Sequence, residues 1–167
     1  TYEVENHDEK EMYFGIGGHP GFVVPFCSDT MFEDYELVFE NACSPERILF
    51  SDDCFVLGKE KYQDLQNNKL TLRHNLFDQD AIVLENTGHT VRLQKKNSNS
   101  YIEVNYPDMK YIGIWHMPHM EVPYVCLEPW SSLPSRKNVV EELEKQENLI
   151  RLQSEEVYRN TWSIQIH

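Results

Sequence analysis

The chain has 167 residues, enough for one domain with a substantial core. It is 40% hydrophobic and 26% charged, an ordinary globular composition, but its formal net charge is −13 and its isoelectric point about 4.9. That field repels phosphate backbones and anionic bilayer surfaces, so neither nucleic acid nor membrane is an expected partner. No apolar run approaches the roughly 20 residues that span a bilayer. No signal peptide is visible.

Along the chain, short alternating runs dominate. "TYEVEN" alternates through Tyr2 and Val4, "YELVFE" through Tyr35, Leu37 and Phe39, and "KLTLRH" through Leu70 and Leu72. "HTVRLQ" does so through Val91 and Leu93, "SYIEVNY" through Ile102, Val104 and Tyr106, and "TWSIQIH" through Trp162, Ile164 and Ile166. Period two with one apolar face marks half-buried antiparallel strands. "ENTGH", "KNSNS" and "NYPD" lie between them as turn clusters. "YIGIW" at Tyr111 to Trp115 and "YVCL" at Tyr124 to Leu127 are apolar on both faces and read as central strands. "SRKNVVEELEKQENLIRL" predicts the one short helix, within Asn138 to Gln146 and capped by Asn138. Many strands and at most one or two short helices predict an all-β antiparallel sandwich, with residues 1–167 as a single domain.

Four cysteines, Cys27, Cys43, Cys54 and Cys126, form no CxxC pair and no zinc-like cluster. They read as reduced thiols of a cytoplasmic protein, with Cys126 a small hydrophobe inside a strand.

Two stretches carry chemistry. In "FGIGGHPGF", Phe14 to Phe22, glycines at 17 and 18 open backbone angles closed to other residues. Pro20 restricts the residue before it, His19, to an extended conformation at a strand end. Taken alone, that histidine is better explained by an ordinary turn. In "VCLEPWSSLP", Val125 to Pro134, Glu128 ends an apolar run before Pro129 and Trp130. Proline there is expected to end the strand pairing and leave the carboxylate at the rim of a sheet. Taken alone, a surface glutamate is an equal reading. As a pair, a histidine and a partly buried glutamate suit general acid and general base.

The two stretches, in this order, resemble motifs of the aldose 1-epimerase (mutarotase) family, and most of all its LacX-related subgroup. "LFDQDAIVLEN" and "YIGIWHMPHMEVPYVCLEPW" resemble further family segments between and around them. The resemblance covers nearly the whole chain. It implies a galactose mutarotase-like antiparallel supersandwich that binds a sugar in a cleft across one sheet. It implies Glu128 as the base taking the proton from the C1 hydroxyl and His19 as the acid protonating the ring oxygen. Ring opening, rotation and closure then exchange the α and β anomers of a hexose or hexose phosphate, with no cofactor and no metal. It implies Asp80 as a sugar-hydroxyl ligand, with Asp78 a near competitor, and Trp115 lining the cleft. His116, beside Trp115, is expected to reach a sugar hydroxyl.

Family members are considerably longer than this chain. The resemblance places it in their C-terminal part, either as a fragment or as a natural truncation. A truncated sandwich would expose sheet edges and favour homo-oligomers. "SSLPS" after Trp130 departs from the glycine common in the subgroup. Two other functions remain open at this stage. One is a non-catalytic carbohydrate-binding protein on the same fold. The other is a metal enzyme using His19, His116 and His119. An enzyme is expected to hold His19 and Glu128 facing each other across a gap that fits one pyranose ring.

Overall fold

The computed structural model describes residues 1–40 and 43–167. The early strands are β1 (Tyr2–Glu5), β2 (Met12–Phe14), β3 (Gly21–Val23), β4 (Tyr35–Phe39), β5 (Glu46–Phe50) and β6 (Val56–Lys61). There follow β7 (Lys69–Thr71), β8 (Ile82–Glu85), β9 (Thr90–Lys95), β10 (Tyr101–Asn105), β11 (Tyr111–Trp115) and β12 (Tyr124–Trp130). The last three are β13 (Ile150–Leu152), β14 (Val157–Asn160) and β15 (Ser163–Ile166). Single 3-10 turns at Phe32–Asp34, His74–Phe77 and Leu143–Lys145 are the helical elements among the described residues, and none could cross a membrane.

Two sheets carry the fold. One has six strands in the order β3-β12-β11-β8-β5-β6, the other five in the order β15-β10-β9-β4-β7. Every pairing within them is antiparallel. Alternation decides how they pack. Ile82, Leu84, Ile112, Ile114, Val125 and Leu127 from the larger sheet meet Leu37, Phe39, Val91, Leu93 and Val104 from the smaller in one core. The odd-numbered residues of β8 and β11 and the even-numbered residues of β12 therefore face away from that core. There Ile48, Val83 and Tyr111 form a second, smaller apolar cluster with Trp130 packed against it.

The predicted antiparallel sandwich is the observed architecture, and both runs predicted as central strands lie inside the larger sheet. Three expectations change. The predicted helix is a three-residue 3-10 turn at Leu143–Lys145. Asn138 does not cap it but sits in the left-handed region at φ 59°. Val139, Val140 and Leu143 are exposed, so no apolar stripe exists to hold a longer helix on the sandwich. The third change concerns "TWSIQIH". Its strand forms, but at the edge of the smaller sheet, and Ile164 and Ile166 point to solvent.

Leu84 is fully buried between the sheets. Leu84→Ala is expected to lower unfolding free energy by about 2–5 kcal/mol, whereas Val140→Ala should stay within about 0.5 kcal/mol. Denaturant titration measures both, and equal small shifts would contradict the assigned core.

Candidate active site

Glu128 lies within β12, not at its end. Its register partner is Gly113 of β11, and Pro129 pairs with Ile112. Proline does not stop the strand because its missing donor faces the other edge. On that side the Pro129 carbonyl accepts from the Gly18 N–H at 2.9 Å, and Pro20 O accepts from the Leu127 N–H at 3.1 Å. The segment carrying His19 is thereby fastened to the strand carrying Glu128. His19 itself sits two residues ahead of β3.

Gly17 and Gly18 are required for a different reason from the one the sequence suggested. Neither adopts a positive φ; both are pressed against other chain segments. A Cβ on Gly17 would stand 2.9 Å from the Pro129 carbonyl, and one on Gly18 would stand 2.7 Å from the Trp162 ring. The close approach, not an unusual backbone angle, excludes side chains there.

These constraints bring His19 Nε2 to 3.2 Å from Glu128 Oε1. The partners are unequal: the His19 side chain is 60% exposed and that of Glu128 only 5%. Burial raises the Glu128 carboxyl above the ordinary glutamate value, and the neighbouring Asp80 charge adds to this. The His19 charge and the Trp130 indole pull the other way, yet the net direction is upward.

Trp115 and Asp80 complete the group. The His19 and Trp115 rings meet edge to face at 5.8 Å between centroids. The Trp115 indole N–H donates to Asp80 Oδ1 at 2.8 Å. Asp80 holds a left-handed backbone conformation at φ 68°, where aspartate is tolerated better than most residues. Asp78 turns elsewhere, to His119 Nδ1 at 3.3 Å. Beside this group opens a cleft of about 890 Å³, lined in part by Ile48, Phe50, Asp80, Val83 and Trp130. Glu128 is two strands from Val83 in the same row, and the residue between them is Gly113. A Cβ there would crowd Glu128 Cβ at 3.2 Å and Trp130 at 3.4 Å. The missing side chain is what lets Glu128 and Trp130 pack side by side over β11.

His116 does not join them. It is fully buried, packed on Phe77 at 4.1 Å between ring centroids. Its Nδ1 lies 2.8 Å from the Met117 carbonyl, which can only accept, so Nδ1 carries the proton. Its Nε2 then accepts from His74 Nδ1 at 3.1 Å. Burial, aided by His74, lowers its pKa and keeps the ring neutral. Strand alternation explains the error: Trp115 shares the face of Gly113 and Glu128, so the next residue turns to the core. The expected gap between His19 and Glu128 is also absent, since the two are in direct contact.

The structure adds a residue that the sequence reading took for core. Cys126 stands two places before Glu128 and so shares its face. Its sulfur, a His19 nitrogen and a Glu128 oxygen all lie within 4.8 Å of one another. Burial pushes the Cys126 thiol up to about 11, so with no metal bound it stands protonated at neutral pH. His116, buried on His74, and His119, facing Asp78, are not part of this set.

No family model matches the chain. The plasmid-encoded protein LacX of Lactococcus lactis subsp. lactis is 31% identical over 137 residues, covering 79% of this chain and 45% of that protein. The structure of a galactose mutarotase related enzyme from Lactobacillus acidophilus superposes with a TM-score of 0.88 at 25% identity, covering 99% of this chain and 55% of the other. A galactose mutarotase-like protein from Lactobacillus casei gives 0.86 at 25% identity, with 99% and 57% covered. The chain thus spans about half the length of the relatives it matches. The chain has the fold of the galactose mutarotase-like proteins and resembles them, and LacX, in sequence.

Proposed function

We propose that this chain carries the acid–base centre of an aldose 1-epimerase acting on a hexose, with residues 1–167 as one sandwich domain. The observation that supports it most is the buried Glu128 carboxylate held 3.2 Å from an exposed histidine beside a cleft. A carboxylate with a raised pKa is a stronger base than a solvated one, and a protonated imidazole is a competent acid near neutrality.

In this reading ionised Glu128 takes the proton from the C1 hydroxyl while protonated His19 gives one to the ring oxygen. The C1–ring oxygen bond breaks, C1 becomes an aldehyde carbon, and rotation about the C1–C2 bond exposes its other face. The reverse transfers close the ring and restore both residues. One proton is lost and one gained, so the pair carries no net change in charge. Asp80, already accepting from the Trp115 indole, offers its second oxygen to a sugar hydroxyl, and Trp115 gives the ring an apolar wall.

A second reading is a sugar-binding protein without catalysis. The direct His19–Glu128 contact favours it, because no ring-sized space lies between the two side chains. The epimerase reading requires His19, whose side chain is largely exposed, to swing aside as sugar enters. Polarimetry on freshly dissolved α-glucose or α-galactose against a buffer blank separates the two. Glu128→Gln keeps the shape and removes the base, so the rate should fall by about 10²–10⁴-fold while sugar binding survives. His19→Asn should lose less where water can protonate the ring oxygen. Sugar binding with a rate equal to the blank, in a protein of the relatives' full length, would establish the second reading, since the present chain by itself is expected to show little or no activity.

The raised carboxyl pKa also has a consequence for stability. Because the folded value lies above the unfolded one, the native state binds more protons between the two. Stability therefore falls as pH rises through that window, and the loss persists above it. Glu128→Gln removes the loss, so the variant should melt at a higher temperature than wild type at neutral pH. The difference should vanish below the ordinary glutamate range. A variant less stable at neutral pH would contradict the assigned burial cost.

A further inference from the structure

A second cavity, of about 330 Å³, lies apart from His19 and Glu128. Arg47 of β5, Tyr62 just beyond β6, and Arg73 and Asn75 at the His74–Phe77 turn line it, with Asp64 and Asp78. Tyr62 is 6% exposed, and its hydroxyl is buried with no hydrogen-bond partner. A buried phenol left in that state is costly, and such groups are normally satisfied by a water or a ligand.

The arginines sharpen the point. Ion pairs occupy Arg92, Arg136 and Arg159, but among the described residues neither Arg47 nor Arg73 is paired with a carboxylate. Both charges nevertheless act on the Tyr62 hydroxyl, where they oppose the effects of burial and of Asp64. In a chain of net charge −13, two guanidiniums and a buried phenol therefore converge on one small cavity with their donors unused. The carboxylates do not quench them: Asp78 faces His119 at 3.3 Å, and Asp64 is exposed.

We propose that this cavity binds the phosphoryl group of a small ligand, through the guanidiniums of Arg47 and Arg73 and the hydroxyl of Tyr62. Guanidinium forks match phosphoryl oxygens in shape and charge, and the phenol supplies a further donor to an oxygen held between them. The volume admits a phosphate with part of a small organic group. Arg47, Asp78 and Gln79 line both this cavity and the cleft beside Asp80, so the two spaces adjoin.

Isothermal titration calorimetry on the chain, at fixed ionic strength in chloride, tests the site with inorganic phosphate, glucose 6-phosphate and glucose. Saturable one-to-one binding of phosphate or glucose 6-phosphate is expected. Arg73→Gln and Arg47→Gln should each weaken it by about tenfold or more, the effect of losing a charged hydrogen-bond partner. Tyr62→Phe should weaken it less, by about fivefold, and tests the hydroxyl with little change in shape. Asp64→Asn should tighten binding, a change that loss of fold cannot imitate. Much tighter glucose 6-phosphate identifies a sugar phosphate as the ligand, and equal affinities identify free phosphate. No saturable binding of either, or binding unchanged in both arginine variants, would overturn the site. Binding is read without turnover, so either result leaves the epimerase reading standing on its own tests.

Discussion

A carboxylate kept almost out of water against a solvent-facing imidazole is the contact on which the rest of the site depends. Glu128 is buried among neighbours that make room or compensate. Gly113 provides space on the β11 side, Trp130 and His19 offer favourable partners, and the Gly17–Gly18 segment lies close enough to deliver His19. Remove any of these and the carboxylate is either crowded or left uncompensated, and an uncompensated buried charge is expensive. The same burial that destabilises the fold makes the group a useful base. A strained functional centre held in place by a well-packed scaffold is a common trade.

The scaffold provides that support through simple alternation. On β11 and β12 every second side chain is core, and it locks the larger sheet to the smaller one. The residues between them, Gly113, Trp115, Cys126, Glu128 and Trp130, are thereby committed to the opposite face with no choice of orientation. Because β12 is flanked by β3 on one edge and β11 on the other, acid and base arrive on adjacent chain segments fixed by backbone hydrogen bonds. Rigid strands position Glu128, while the exposed side chain of His19 can turn on a backbone fixed at Gly18 and Pro20. That division suits a residue that must make way for a substrate.

Much of this was legible in the residues, and the parts that were not share physical causes. Period two revealed the sandwich because apolar alternation reports directly on a buried face. The pairing of His19 with Glu128 followed from two motifs, but their direct contact did not, since side-chain separation across strands has no sequence signature. Glu128 was expected at a rim because proline usually ends pairing; the edge its missing donor faces could not be read from one chain. His116 was misplaced although strand parity after Trp115 already pointed it inward. The same parity, applied from Glu128 back to Cys126, would have put the thiol in the site. The helix at Asn138 failed because charged residues around three apolar ones imitate an amphipathic pattern when no neighbouring surface receives it. The Arg47–Tyr62–Arg73 cavity had no signal at all, because its members come from three separate segments.

The central claim is that burial raises the Glu128 carboxyl and that the His19 charge restrains the rise. A carbon-13 carboxyl NMR titration of Glu128, in the wild type and in His19→Asn, measures this directly. The expected wild-type midpoint lies above the ordinary glutamate value of about 4.3, and it should move higher still when the imidazole is removed. An ordinary midpoint in the wild type, or one that stays or falls in His19→Asn, would contradict the account.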